Sequence, residues 1–180
     1  VDDPVSLYAA TKKSAELITA SYAHLYRLPA TGLRFFTVYG PWGRPDMALY
    51  IFTQKILAGE PIPVFNQGNM KRDFTYIDDI VAGTLGCLGH PPPDDGGPAP
   101  HRVYNLGNNH SEPLMKLIET LETALGKKAE IHFESMQPGD VKETSADIEA
   151  SIRDFGFKPT TSIEEGVPRF VEWYRDYHGI

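Results

Sequence analysis

The pattern of apolar and polar residues divides the chain into alternating helices and strands. Apolar residues at helical spacing predict a long helix over 7–26, which Ser6 can cap and Pro29 stops. The β-branched and aromatic stretch 30–38 then predicts a buried strand of the parallel type. A long helix that returns through a short loop into such a strand is half of a βαβ unit, so the predicted fold class is α/β. Further helices are predicted over 47–58, 78–88, 114–125, 148–155 and 163–177, and further strands over 61–65, 70–77, 102–106 and 129–133.

The composition narrows the class of protein. With 180 residues the chain can form one core, or one domain with an appended lobe. Its net charge of -7 argues against a nucleic-acid binder, because such proteins carry a basic patch or stripe. A single cysteine, Cys87, and six histidines without metal-ligand spacing predict neither a disulfide framework nor a metal site. No membrane-length apolar run and no signal-peptide pattern appears, so we expect no membrane partner and a cytoplasmic location.

Tyr8 and Lys12 are the first candidates for chemistry. They are four residues apart in the first predicted helix, which places the phenol and the ammonium on one face. A nearby ammonium favours phenolate over phenol, and a tyrosine whose pKa is lowered in this way can take a proton from a sugar hydroxyl. A helical tyrosine that simply packs on a lysine stem has the same spacing, so the pair alone leaves both interpretations open.

A glycine- and proline-rich loop follows the strand predicted over 30–38. It comprises residues 39–46 (YGPWGRPD) and leaves the carboxyl end of that strand. Ligands of open α/β sheets bind at this end. The loop is therefore the second candidate region.

Five motifs occur in one order along the chain: Tyr8-x-x-x-Lys12, then RFFTVYGP at 34–41, RDFTYIDD at 72–79, YNLG at 104–107 and PGD at 138–140. Together they resemble the extended short-chain dehydrogenase/reductase family of nucleotide-sugar epimerases and dehydratases. Residues 42–48 (WGRPDMA) are similar to the UDP-glucuronate 4-epimerase branch of that family. The resemblance covers the chain except 91–100, and it implies roles in the synthesis of capsule, lipopolysaccharide or pectin-like polysaccharides.

The resemblance also implies how the chain is organised. It implies the C-terminal part of a Rossmann-type, doubly wound parallel sheet with a smaller α/β substrate-binding lobe. Residues 1–45 would belong to the NAD-binding Rossmann domain, and 46–180 mainly to the nucleotide-sugar lobe, with some segments returning to the sheet. The chain contains no G-x-x-G-x-x-G phosphate loop and no Ser/Thr upstream of Tyr8 to share the substrate hydroxyl. We therefore expect part of a longer enzyme that lacks most of its NAD site and is inactive alone.

The resemblance assigns the catalytic and cofactor roles. Tyr8 would take the proton of the sugar C4 hydroxyl while NAD takes the C4 hydride, and the 4-keto sugar would rotate before reduction on its other face. Lys12 would bond the nicotinamide ribose, and Phe35 would contact the cofactor. With a glucuronate the intermediate is a β-keto acid, so an epimerase must hold the carboxylate out of alignment with the ketone. Arg44 and Thr37 are suited to this, although a solvated arginine and a plain strand residue are alternatives.

The nucleotide would be held by the second half of the chain. Arg72 is the candidate for the UDP diphosphate, with an ion pair to Asp73 or Asp78 as the alternative. Asp140 resembles the family position that meets the nucleotide ribose, although Gln137 stands where many relatives carry a basic residue. Phe65 is suited either to the uracil or to packing within the lobe.

The expected partner is a second copy of the chain. In the family, the helix that carries the catalytic tyrosine commonly packs with its twin across a two-fold axis, which predicts a homodimer. Three rival functions remain: a UDP-glucuronate decarboxylase, a nucleotide-sugar 4,6-dehydratase and a non-catalytic nucleotide-sugar-binding module.

Overall fold

The first helix, α1 (Leu7–Tyr26), begins and ends as predicted in the computed structural model, which describes residues 3–137 and 139–180. The Ser6 hydroxyl accepts the amide N–H of Ala9 at 3.1 Å, so the predicted cap is confirmed. Ala23 is the one buried residue of α1. The helix therefore lies on the surface of this chain.

Strands and helices make up the remaining elements. Each predicted helix and strand is present, with bounds that differ by a residue or two, except for the strand over 30–38. In chain order they are β1 (Ala30–Phe35), β2 (Thr37–Tyr39), α2 (Ala48–Ala58), β3 (Ile62–Phe65), a 3₁₀ turn (Asn66–Gly68), β4 (Lys71–Tyr76), α3 (Ile77–Leu88), β5 (His101–Leu106), β6 (Ser111–Pro113), α4 (Leu114–Leu125), β7 (Ile131–Glu134), α5 (Glu149–Phe155) and α6 (Ile163–His178).

The single strand predicted over 30–38 is two strands. β1 runs parallel to β5, and the amide of Phe36 still donates to the carbonyl of Leu106 at 3.1 Å. Beyond Phe36 the chain changes neighbours, so that β2 pairs in parallel with β4 from Thr37 onward. The single-strand prediction was wrong because β5 ends at Leu106 and offers no further ladder. The expected burial was also wrong, since β1 is only half-buried and Phe35 is 54% exposed.

Three small sheets carry these strands. β1 and β5 form a parallel pair, as do β3 and β7. β4 lies between β2, to which it is parallel, and β6, to which it is antiparallel. The α/β class is thus confirmed.

Two hydrophobic cores hold the sheets to the helices. The larger one is built from α2, α4 and α6 packed on β3 and β4, with Phe170, Ile56 and Leu121 fully buried. The smaller one surrounds Leu106 of β5 and includes Ile80 of α3 and Phe157 after α5. The division of the chain at residue 45 into two domains stays a prediction.

Asp73 ties β4 to the segments that follow β5 and β7. Its carboxylate is fully buried and accepts the amide N–H groups of Asn108 at 2.6 Å and Ala146 at 2.9 Å, and the Thr75 hydroxyl at 3.0 Å. Gly107, beside it, has no room for a side chain, since a Cβ would come within 2.4 Å of the Ala146 Cβ. This contact explains the glycine of the YNLG motif.

The two aspartates at the start of α3, Asp78 and Asp79, do not cap it. The cap position is Tyr76, and no side chain bonds there. Asp79 is buried and instead accepts the amide N–H groups of Thr160 and Thr161 at 3.1 and 3.0 Å. Its carboxylate therefore holds the segment before α6 against α3.

Candidate functional site

Tyr8 and Lys12 lie side by side on the first turns of α1. The Lys12 Nζ is 5.4 Å from the centre of the Tyr8 ring, and 70% of Tyr8 is exposed. The geometry predicted from their spacing is confirmed. Both side chains, together with Phe35, line one cleft of about 600 Å³ between α1 and β1. The structure thus brings together the three residues predicted to meet the cofactor.

An ion pair fixes α1 on the wall of this cleft. Arg34 of β1 donates from Nε and Nη2 to the two carboxylate oxygens of Glu16, at 2.5 and 2.7 Å. The hydrogen bond from Arg34 is the main reason why the pKa of Glu16 lies below its ordinary value. Because Glu16 is two helical turns after Tyr8, the pair sets the position of Tyr8 relative to β1.

The loop after β2 consists of two consecutive turns. The amide of Gly43 donates to the carbonyl of Gly40 at 3.1 Å, and that of Met47 donates to the carbonyl of Arg44 at 3.2 Å. Gly40 has φ +137°, and a Cβ there would lie 2.5 Å from the Ile77 side chain, so only glycine fits. Arg44 begins the second turn directly after the first ends.

Arg44 is exposed and paired within its own loop. Its Nε and Nη2 donate to the Asp46 carboxylate at 3.0 and 2.5 Å. These bonds are the main reason why the pKa of Arg44 is raised and that of Asp46 lowered; the Tyr8 phenol adds a smaller electrostatic contribution at Arg44.

Thr37 and Phe65 lie on different sheets. Thr37 is the half-buried first residue of β2, opposite Phe74 of β4. Phe65 is the half-buried last residue of β3, opposite Glu134 of β7. Their predicted contacts with the sugar and the uracil stay predictions.

Arg72 and Asp140 are brought together from distant parts of the sequence. The Arg72 Nη2 donates to the Asp140 Oδ1 at 2.7 Å, and its Nη1 donates to the carbonyl of Lys71 at 2.9 Å. The Arg72 side chain is 17% exposed. The alternative pairing of Arg72 with Asp73 or Asp78 was wrong. Pro138, which opens the PGD motif, lies outside the described residues.

Sequence reasoning missed Asp46, the Glu16–Arg34 pair and Trp42, whose ring lies 5.5 Å from that of Trp173 on α6. The Arg44-Pro-Asp46 spacing is a usable signal for a local pair, because proline favours a tight turn between the two charges. The other two depend on neighbours far away in the chain, and their sequence context carries no signal for them.

Within residues 3–137 and 139–180, no three His, Cys, Asp or Glu side chains are grouped so that they could hold a metal ion. No helix there combines the length and the apolar character that a bilayer crossing requires.

Parallel strand pairs covered by helices, with a Tyr–Lys pair on an open cleft, define a Rossmann-type protein of the short-chain dehydrogenase/reductase class. The profile of the NAD dependent epimerase/dehydratase family matches residues 1–107, and the chain belongs to this family. The resemblance inferred from the motifs is thereby confirmed.

Relatives and solved structures agree with this assignment. The chain is 52% identical to Protein CapI of Staphylococcus aureus and 50% identical to UDP-glucuronate 4-epimerase 1 of Arabidopsis thaliana, in each case over 99% of its own length. The structure of the Bacillus cereus UDP-glucuronic acid 4-epimerase with UDP-glucuronic acid and NAD is similar, with a TM-score of 0.87, 33% identity and 97% of this chain covered. The chain spans 57%, 44% and 54% of these three proteins, about half of their length.

Proposed function

We propose that this chain is the substrate-binding portion of an NAD-dependent UDP-sugar 4-epimerase that converts UDP-glucuronate into UDP-galacturonate. The observation that carries the proposal is the Tyr8–Lys12 pair, which is exposed on a cleft that Phe35 also lines. A proton acceptor, a cation beside it and a carboxylate partner are the groups that this reaction requires.

The residues of the cleft suit one end of NAD. Lys12 carries three N–H donors that suit ribose hydroxyls, and the exposed Phe35 ring offers an apolar face. When bound, NAD supplies the acceptor and later the donor of the C4 hydride. We propose that the remaining cofactor contacts lie outside these 180 residues, and that the chain is inactive without them.

Tyr8 handles the proton in the proposed reaction. Its phenolate oxygen takes the proton of the C4 hydroxyl as the C4–H bond is broken and C4 becomes a ketone. The Lys12 ammonium stabilises the negative charge on that oxygen by Coulomb attraction. After the keto sugar has turned, Tyr8 returns the proton to O4 as C4 is reduced from the other face. Two protons and two electrons leave and return, so the sugar is isomerised without net oxidation.

Arg44 holds the substrate carboxylate in this proposal. A 4-keto glucuronate is a β-keto acid that loses CO₂ when its carboxylate aligns with the ketone. A guanidinium fork binds a carboxylate in a fixed plane. Asp46 occupies the Nε N–H and one Nη2 N–H of Arg44, so the second Nη2 N–H and the adjacent Nη1 N–H form the fork for the sugar carboxylate. Thr37 adds a hydroxyl at the start of β2.

Arg72 and Asp140 hold the nucleotide in this proposal. The Arg72 side chain of this ion pair is largely shielded from water, so its guanidinium is held in place. The guanidinium would bind a diphosphate oxygen, and the Asp140 carboxylate would accept a ribose hydroxyl. Phe65, at the end of β3, would contact the uracil.

The rival functions differ in their products. Decarboxylation would release CO₂ and leave a UDP-pentose, whereas dehydration would give a 4-keto-6-deoxy sugar. The 50% identity to proteins named UDP-glucuronate 4-epimerase supports epimerisation.

The test is to incubate the full-length protein with UDP-glucuronate and NAD and to identify the product by NMR. We expect UDP-galacturonate in equilibrium with the substrate. Tyr8→Phe removes the proton acceptor, so turnover should fall by about a hundredfold or more, while binding of UDP-glucuronate persists. A UDP-pentose, a deoxy sugar or full activity of Tyr8→Phe would refute the proposal.

We also propose that α1 forms a homodimer with its twin. Ile18, Tyr22 and Leu25 form a stripe on α1, and each is more than half exposed. A two-fold axis would bring two such stripes together and remove them from water.

A further inference from the structure

Trp42 adopts a backbone conformation that tryptophan rarely takes. Its φ is +62°, and it occupies the third position of the turn closed by Gly43 and Gly40. With Pro41 before it, this is the geometry of a type II turn, whose third position favours glycine or asparagine. A tryptophan there needs other contacts to offset the strain.

The C-terminal helix supplies these contacts. The Trp42 ring lies 5.5 Å from the Trp173 ring and 5.3 Å from the Tyr177 ring, both on α6. Trp173 and Tyr177 are themselves stacked, with ring centres 5.4 Å apart and an interplanar angle of 21°. Trp42 nevertheless remains 75% exposed, so this contact fills no core. The contact therefore fixes the position of the loop and does not contribute to a hydrophobic core.

A second contact holds the other end of the same segment. Tyr50 of α2 donates to or accepts from the His178 Nε2 at 2.9 Å, and its ring lies 5.1 Å from that of Tyr174. The last turns of α6 therefore hold the chain at Trp42 and again at Tyr50. Arg44 lies between these two points.

We propose that Trp42, clamped by Trp173 and Tyr177, is a positioning residue for Arg44 and thereby controls the selection and alignment of the sugar carboxylate. The inference rests on the proposed function of Arg44. Gly43 alone separates Trp42 from Arg44, and Arg44 begins the next turn, so a change at Trp42 would pass through Gly43 to the Arg44 backbone. A shift of about 1 Å in a positioning group is enough to lower a rate markedly.

The main variant is Trp42→Asn in the full-length protein. Asparagine tolerates positive φ, so the turn can persist while the ring contacts are lost. We expect the KM for UDP-glucuronate to rise about tenfold, and the fraction of turnovers that end in CO₂ release to rise severalfold. Inhibition by UDP-glucose, which has no carboxylate, should change by less than about twofold.

The helix side gives an independent variant with a matched control. Tyr177→Ala removes a ring that is 57% exposed, whereas Tyr177→Phe keeps the ring. Tyr177→Ala should shift KM and CO₂ release in the same direction as Trp42→Asn, and Tyr177→Phe should resemble the wild type. For the double variant Trp42→Asn/Tyr177→Ala, the change in free energy calculated from KM should be smaller than the sum of the changes for the two single variants, because both remove the same contact.

The outcomes separate the two proposals. A wild-type protein that does not act on UDP-glucuronate refutes the proposed function and this inference with it. An active wild type whose Trp42→Asn and Tyr177→Ala variants keep the KM and the CO₂ fraction overturns the inference alone. Equal weakening of UDP-glucuronate and UDP-glucose would also overturn it, because a general loss of structure does not discriminate between the two sugars.

Discussion

Asp73 shows how much of the fold can depend on one side chain. Its buried carboxylate satisfies two backbone amides and a hydroxyl that belong to three separate segments. The Asp73 amide in turn donates to the Thr144 hydroxyl at 3.1 Å. A buried donor that loses its acceptor lowers the free energy of unfolding by its full desolvation penalty, because water cannot replace the lost hydrogen bond.

Asp73→Asn should therefore lower the free energy of unfolding by about 2–4 kcal/mol. The new amide group would point an N–H at the N–H of Asn108 or Ala146, so at least one donor loses its partner. Urea unfolding followed by circular dichroism measures the change. Asp78→Asn is the matched control at an exposed position of the same region, expected within about 0.5 kcal/mol of the wild type. Equal effects of the two variants would contradict the prediction.

A change at Arg44 should weaken the binding of UDP-glucuronate without weakening the binding of UDP-glucose. Arg44→Gln removes the charge but keeps an amide, so the KM for UDP-glucuronate should rise roughly ten- to a hundredfold. Inhibition by UDP-glucose should change little, because it offers no carboxylate to the lost cation. Steady-state kinetics with both sugars measures this. Thr120→Val on α4, far from Arg44 in the sequence, is the control and should leave both values unchanged. An equal loss of affinity for both sugars in Arg44→Gln would argue against a carboxylate role.

For single residues, the sequence predicted contacts within one helix but not contacts between residues that are distant in the chain. The Tyr8–Lys12 contact follows from helical spacing alone, and the structure confirms it. The partner of Arg72 could not be predicted, because Asp140 is 68 residues away and no local pattern connects the two.

At the scale of elements, the position of α1 depends on the Glu16–Arg34 ion pair. The pKa of Glu16 is lowered in the folded state, mainly by its hydrogen bond to Arg34, from an ordinary value of 4.5. A carboxyl group with a depressed pKa stabilises the fold above its unfolded pKa. That contribution is lost as the pH falls through the folded value.

Glu16→Gln should lower the free energy of unfolding by about 1 kcal/mol at pH 7, since a two-bond pair of this kind is stronger than an exposed one. The difference from the wild type should shrink as the pH falls below 4.5, where the unfolded wild type is protonated. Chemical unfolding across a pH series tests this. Glu119→Gln, on an exposed position of α4, should show no such pH-dependent difference. A constant difference at all pH values would refute the assignment.

The elements themselves were largely predictable, because helical and strand periodicities are local properties of the sequence. The ends of α1, α4 and α6 agree with the periodic pattern and its glycine and serine caps. The split of 30–38 into β1 and β2 was not predictable. It depends on where β5 ends and β4 takes over as the neighbour, which the residues of 30–38 do not encode.

At the scale of the whole molecule, the exposed stripe on α1 predicts the oligomeric state. Ile18→Glu places a charge in the centre of the proposed dimer contact, so the full-length protein should sediment as a monomer at micromolar concentration. Ile152→Glu on α5 introduces the same change at a residue that is 50% exposed, and it should leave the dimer intact. A dimer that survives Ile18→Glu, or a monomeric wild type, would refute this contact.

The sequence by itself determined most of the secondary structure, the α/β class and the family, because periodicity, caps and short motifs are read from neighbouring residues. It also placed Tyr8 next to Lys12, since one turn of helix joins them. Only the tertiary structure decided which distant residues meet: Arg72 with Asp140, Glu16 with Arg34, and Trp42 with the end of α6. These contacts depend on how the helices pack on the sheets, and packing is a property of the whole chain that no local pattern contains.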